Sequence, residues 1–232
     1  MMDAGEWSLE KALAAPERAT RLCVATGELQ LFRRHAGRFI GLRELEVFAL
    51  GLRKIPEEVF GLADLERLDV SDNNLRRIPS AVGRLTQLRE LNIAANRITA
   101  LPDELCDLAV LENLDACDND LSALPERLGS LASLRRLALS GNRLASIPES
   151  VGDAGLLDTL YLNQNALERL PQTLTRLTNL KELQLGYNRL RAFPAGLARL
   201  ARLEWLTLHG NQLEPSAVAE LRRALPGCIV RA

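Results

Sequence analysis

The sequence predicts an α/β solenoid: short parallel strands stacked into one sheet on one side, short helical or extended runs on the other, and a helix at each end. Three observations predict it. Apolar residues recur every 23 residues without a slip, at Leu42, Leu65, Leu88, Leu111, Leu134, Leu157, Leu180 and Leu203. Inside each unit an apolar alternation, such as Leu91 and Ile93, has the period of a strand buried on one face. Each unit then places an asparagine, such as Asn96, ahead of an apolar-proline step, such as Leu101-Pro102. One unit is too small to bury its own apolar stripe, so the units must stack until they share a continuous core.

The elements follow in chain order. Ser8 is a good N-cap for a helix from Leu9 to Ala15 that Pro16 stops, so residues 1–18 read as an N-terminal cap. One period before the unit at Leu42 the chain carries Ala19, Leu22, Val24, Leu29, Phe32 and Phe39, a degenerate first repeat. Gly27 stands there for the asparagine and Arg33 for the proline, and the next unit has Leu50 for the asparagine. Departures are expected where a repeat faces a cap. About nine repeats then fill residues 19–213 and predict nine parallel strands in register. The asparagines from Asn73 to Asn211 form a column that satisfies backbone groups left unpaired by the turn. The prolines from Pro56 to Pro194 open the convex runs, such as residues 126–132. After Leu213 the proline step is missing, and Ser216 to Leu225 places Val218, Leu221 and Leu225 on one helical face. Pro226-Gly227 ends that helix, and Cys228 to Arg231 offers a last strand. Residues 214–232 therefore read as a C-terminal cap, and the array is expected to be closed at both ends as one structural domain.

Bulk composition bounds the function. The formal net charge of −1 provides no global positive field for a phosphate backbone, so no nucleic-acid partner is expected. Cys23, Cys106, Cys117 and Cys228 are scattered and form no disulfide cluster at either end, which suits a reducing compartment. The N-terminus carries Asp3, Glu6 and Glu10 with no apolar run of signal length, and no stretch approaches the ~20 apolar residues of a membrane span. A cytoplasmic protein without a membrane partner is expected.

The 23-residue unit with N-x-L-x-x-L-P resembles the Ras-suppressor class of intracellular leucine-rich repeat proteins and the small bacterial proteins built on the same unit. The opening Ser8 to Pro16, leading into a weak first repeat, is similar to the start of several of those bacterial proteins. The resemblance implies a curved horseshoe whose concave parallel sheet binds another protein, as in signalling scaffolds. Partner choice then rests with the residues that vary on that sheet. No kinase, ubiquitin-ligase or GTPase module is expected with these repeats.

Catalytic and metal-binding readings find little support in the residues. Asp115, Asn119 and Glu126 fall at the first, fifth and twelfth places of a calcium-loop pattern, but Asp120 replaces the turn glycine. Cys117 and His209 share an outward column as nucleophile and base. They lie four repeats apart, about 19 Å at strand spacing, far beyond hydrogen-bond reach. No dinucleotide, P-loop or zincin motif is present. Cys106 occupies a convex position filled by Gly83, Gly129 and Gly152 in other units, which points to close packing. Cys23 and Cys117 lie near the outward face, where a regulatory thiol is conceivable. No catalytic residue, cofactor or metal is expected.

The outward positions of the strands remain. From Leu42 to Leu111 the acids Glu44, Glu46, Glu66, Asp69, Asp72, Glu90, Glu112, Asp115, Asp118 and Asp120 outnumber Arg43, Arg67, Arg89 and Arg97. From Leu134 to Leu203 the balance reverses, with Arg135, Arg136, Arg143, Lys181 and Arg189 against Asp158, Glu182 and Glu204. The face is thus expected to be polarised along its length. Phe32, Phe39, Phe60 and Phe193 fall on inward or convex positions, whereas Tyr161 and Tyr187 fall outward and are joined by Trp205 and His209. Tyr, Trp and Arg anchor interfaces because they bury much area with few rotors lost. The expected contact surface is therefore Tyr161, Gln184, Tyr187, Arg189, Trp205, Thr207 and His209, with Glu46, Asp69, Asp115 and Asp118 as the acidic half. The expected function is a monomeric, non-catalytic scaffold that binds another protein. The alternative is a recognition subunit of an enzyme whose catalytic module is absent.

Overall fold

The computed structural model describes residues 8–232, so Asp3, Glu6 and the beginning of the expected 1–18 cap lie outside the described residues. Ten strands form one open parallel sheet in strict sequence order. They are β1 (Arg21–Cys23), β2 (Glu44–Glu46), β3 (Arg67–Asp69), β4 (Glu90–Asn92), β5 (Asn113–Asp115), β6 (Arg136–Ala138), β7 (Thr159–Tyr161), β8 (Glu182–Gln184), β9 (Trp205–Thr207) and β10 (Ile229–Arg231). The repeats supply nine, and the segment after Pro226-Gly227 adds the tenth. Partners through β9 sit one period apart, as Leu45 opposite Leu68 and Leu91 opposite Leu114. β10 breaks that register, placing Val230 opposite Leu206.

Side-chain alternation decides which face is core. The central residue of each repeat strand, from Leu22 through Leu91 to Leu206, is buried, and so is the residue after each strand, from Val24 to Leu208. Burying one such aliphatic side chain contributes about 1.5–3 kcal/mol. Because neighbouring units share each column, that gain exists only in the stack.

The chain turns sharply after each strand. Ala49, Asp72, Ala95, Asp118, Gln164 and Tyr187 all adopt left-handed backbone with φ between 52° and 56°, and Gly141 and Gly210 hold the same place. For a residue with a Cβ this conformation costs about 1–2 kcal/mol. Except at Ala49, which Leu50 follows, the next residue is an asparagine that offsets it. Asn142 Oδ1 accepts from the Leu121 N–H at 3.0 Å, while its Nδ2 donates to the carbonyls of Ala116 at 2.9 Å and Leu139 at 3.0 Å. The amide therefore ties its own turn to the preceding repeat. Asn73, Asn96, Asn119, Asn165, Asn188 and Asn211 repeat the pattern; Asn165 and Asn211 are half-buried and the others buried. Gly27 and Leu50 leave the first two turns without an asparagine of their own; Asn73 still serves the second, accepting from the Leu50 and Leu52 N–H groups at 3.1 and 2.9 Å, so only the first turn has no amide. There Glu28 Oε2 accepts from the Ala25 N–H at 2.8 Å instead.

The prolines set the other side. Pro56, Pro79, Pro102, Pro148 and Pro171 each precede a 3-10 turn, as Pro79 does for Ser80–Arg84, where the Val82 N–H reaches the Pro79 carbonyl at 3.0 Å. The first repeat, with Arg33 in place of proline, forms α-helix across Leu29–His35 (α2). Without the ring, no hydrogen bond is removed and no carbonyl clash interrupts the helix. Convex turns pack so closely that a Cβ on Gly129 or Gly152 would collide with the next repeat's Ser150 or Thr173 carbonyl. Cys106 and Thr175 share that column and are buried.

At the N-terminal end, α1 (Leu9–Ala14) begins where Ser8 Oγ accepts from the Lys11 N–H, and it buries Leu9 and Ala12. It stops one residue earlier than expected, ahead of a 3-10 turn over Pro16–Arg18. At the other end α3 (Pro215–Ala224) starts on Pro215 and buries Val218 and Leu221, with Leu225 just beyond. Among the described residues no helix is long and apolar enough to cross a membrane.

If the asparagine amides hold the turns, Asn142→Ala should lower unfolding free energy by about 1–3 kcal/mol, because buried backbone groups lose their partners. Chemical denaturation measures this. An unchanged midpoint and slope would remove the ladder from the account.

Candidate functional site

Outward side chains stack in columns along the sheet, and their charges follow a rule that the totals concealed. In the column just before the strands, Arg43, Glu66, Arg89, Glu112, Arg135, Asp158, Lys181 and Glu204 alternate in sign at every step. The first strand position does the same over Arg21, Glu44, Arg67 and Glu90, which face each other in register. Ion pairs result: Arg43–Glu66 at 3.0 Å, Arg67–Glu44 at 3.2 Å, Arg67–Glu90 at 3.3 Å and Arg89–Glu112 at 2.6 Å. Arg143 pairs with Asp120 at 2.6 Å. The acidic surplus expected from Leu42 to Leu111 is thus smaller than the residue count. Each exposed pair contributes little stability, but alternation keeps like charges apart.

What remains acidic is narrow. Glu46, Asp69 and Asp115 occupy the third strand position and Asp72 and Asp118 the left-handed turn, and none of them forms an ion pair among the described residues. Asp69 is held in place: Oδ1 accepts from the Ser71 N–H at 2.8 Å and Oγ–H at 2.6 Å, and Oδ2 from Asn92 at 2.9 Å. Asp115 accepts from the Cys117 N–H at 3.0 Å.

At the other half of the sheet the aromatic residues are locked into polar contacts. Arg136 lies over the Tyr161 ring at 4.5 Å, and the Tyr161 hydroxyl donates to Glu182 at 2.7 Å. Gln184 donates to the same carboxylate at 2.6 Å, and Asn163 donates to Gln184. Asn163 Oδ1 accepts from Thr207 at 3.2 Å and from the Gly186 N–H at 2.7 Å. Burial first, then the Glu182 hydrogen bond, pushes the Tyr161 phenol above its ordinary value, so it stays a donor at neutral pH. Trp205 on β9 is covered by Arg231 from β10 at 4.4 Å. Tyr187 and His209 meet edge to face, ring centres 4.7 Å apart.

Tyr161, Gln184 and Thr207 therefore belong to one hydrogen-bonded network, and Trp205 lies beside it. Tyr187 is not a strand residue: it stands at the left-handed turn, 58% exposed, with His209 on the rim. Arg189 follows Asn188 onto the flank beyond the turn and joins none of these contacts. Asn163 and Arg231 were not among the expected site residues. The period placed Asn163 one repeat before Gly186 and so offered a signal; Arg231 had none, because β10 leaves the 23-residue register.

The surroundings of all four thiols disfavour the thiolate. Burial, reinforced by Asp115, pushes Cys117 up to about 12, and burial pushes Cys106 up to about 11. Burial also raises Cys23, with Glu46 adding to it, and Cys228. All four cysteines are free. Asn119 is committed to the turn ladder, and among the described residues no cluster of His, Cys, Asp and Glu is arranged to hold a metal ion.

The sequence matches the family described as leucine-rich repeat region over residues 21–123 and 114–224. A short stretch of 37 residues is 57% identical to the human volume-regulated anion channel subunit LRRC8E, covering 16% of this chain and 5% of that protein. The internalin inlF of Listeria monocytogenes superposes with a TM-score of 0.73 at 23% identity, over 84% of this chain and 55% of that one. The plant peptide hormone receptor RGFR1, solved in complex with RGF2, superposes with a TM-score of 0.70 at 28% identity, over 79% of this chain and 31% of the receptor. This chain thus spans only a small part of the channel subunit and about a third of the receptor.

Raised thiol pKa values predict slow alkylation. At pH 8 the folded protein should modify Cys106 and Cys117 about ten-fold or more slower than the denatured chain, in which all four thiols react. Site-resolved mass spectrometry after timed alkylation reads this directly. Rapid labelling of Cys117 in the folded state would restore it as a reactive thiol.

Proposed function

The chain belongs to the leucine-rich repeat family, and from that premise we propose that it is a non-catalytic scaffold that binds another protein on the open face of its sheet. One observation carries the reading: the aromatic side chains on that face are already ordered by Arg136, Glu182, Gln184, Asn163 and Arg231. A ring held in place before binding loses little entropy on contact, which favours affinity. The receptor RGFR1, solved with its peptide hormone RGF2, supports protein ligands as the class.

The partner lies across β7 to β9, with Trp205, Tyr161 and Tyr187 buried beneath it and Gln184, Thr207 and His209 lending polar contacts. Glu46, Asp69, Asp115 and Asp118, at the other end of the face, steer a basic region of the same partner. In this reading α1 and α3 close the ends of the stack, and the protein acts in the cytoplasm as a signalling scaffold. Four free thiols, three of them partly exposed, support a reducing compartment.

Affinity capture from extract of the source cell, followed by mass spectrometry and calorimetry with the purified partner, tests the reading. Trp205→Ala or Tyr187→Ala should weaken binding by about 2 kcal/mol or more with an unchanged melt. Asp69→Lys with Asp115→Lys should mainly slow association and flatten its salt dependence. Arg176→Ala, on the convex side in a pair with Asp153 at 3.2 Å, should do little. An Arg176 variant as damaging as the Trp205 variant, both folded, would contradict docking on the sheet face.

A further inference from the structure

Four cations on the flank beyond the turns break the rule that governs the sheet, and a fifth lies beside them. Arg53 stacks one repeat before Arg76, Lys54 one repeat before Arg77, and Arg97 continues the edge after Asn74. These residues line a trough of about 740 Å³ with no acid among them. All five are exposed, and none forms an ion pair among the described residues. On the sheet, cations of one column are separated by Glu or Asp in the next repeat, whereas Arg53 and Arg76, and Lys54 and Arg77, sit at adjacent-repeat spacing and repel; Arg97 has Asp120 next in its own column. In the following repeats the same columns hold Thr99, Ala100, Ser122 and Ala123, so the strip ends abruptly. A chain of net charge −1 thus concentrates positive charge in three neighbouring repeats.

We propose that this strip is a second binding site, for an acidic segment of a protein partner that carries an apolar side chain beside its carboxylates. The cations spread over about 10 Å of stacked repeats and do not converge on a point, which suits carboxylates along an extended chain better than one compact oxyanion. Guanidinium groups accept carboxylates through paired N–H donors. Lys54 and Arg77 also wall an adjoining hollow of about 340 Å³ in which Ile55, Phe60, Pro79 and Ala81 offer an apolar side chain a place beside the polar Glu57, Ser80 and Arg84. No aromatic side chain lines the trough to stack a base, which sets a nucleic acid aside. The proposal rests on the protein-binding reading only for the class of ligand; the site is separate from the sheet face.

Fluorescence anisotropy tests it with the full chain and a short labelled peptide of Glu and Asp containing one Leu. A Gly/Ser peptide with the same Leu and a single-stranded DNA oligonucleotide serve as comparisons. The acidic peptide should bind with affinity that falls steeply with salt, and Arg76→Glu with Arg77→Glu should weaken it about ten-fold or more at an unchanged melt. Trp205→Ala and Arg169→Glu should leave it unaltered, so a failure of the sheet-face reading and a failure of this one are read separately. Absence of binding at low salt, equal binding by the Arg76/Arg77 variant, or DNA binding as tight as the peptide's and lost in the same variant would overturn the proposal.

Discussion

The stack depends on one asparagine amide in each repeat from the third onward. The turn after each strand needs left-handed backbone, mostly at residues with a Cβ, and the asparagine side chain binds both the carbonyls exposed by that turn and an N–H of the repeat before. A backbone conformation that is unfavourable alone is thereby held at every step, and neighbouring units are joined through the same group. No buried side-chain polar atom is left without a partner among the described residues. The leucine columns supply most of the driving force, but they specify neither the turn nor the register.

Because core and turn are met by inward and turn positions, the outward strand positions are released from structural duty. The protein uses them in two ways. Columns nearest the strand start alternate in sign and pair across strands, so the sheet carries many charges with little net field. The third position does not alternate, and it holds both the acidic stripe and the ordered tyrosine. The pairing rule lapses in Glu46, Asp69 and Asp115 on the sheet, and in Arg53, Lys54, Arg76 and Arg77 on the flank.

The period made the fold readable in nearly every element, including the degenerate repeat at Leu22 and Phe32, because a repeated template averages away local ambiguity. Two features escaped it. Arg33 was seen at the proline place, but the α-helix over Leu29–His35 that its lack of a ring permits was not drawn from it, and β10 lies one residue out of register. The site was less legible. Counting charges along the face gave an acidic half, yet Glu44, Glu66, Glu90 and Glu112 are paired, since pairing depends on which columns are neighbours. Tyr187 and Arg189 were read as outward with the strands, although the chain has already turned there. The basic strip went unnoticed because its members lie beyond Asn73 and Asn96, outside the strand positions that a face-by-face reading inspects.

Native-state hydrogen exchange at the N–H groups of Leu75, Ile98 and Leu121, each donating to the asparagine of the next repeat at 2.9 to 3.0 Å, tests the central claim most directly. If the amide ladder joins the repeats into one unit, these three protons should exchange together with the strand protons of β3 to β6, with opening free energies close to global unfolding. Exchange at the rate of exposed loop amides, while the strands remain protected, would show that the turns open freely and that the leucine columns alone hold the stack.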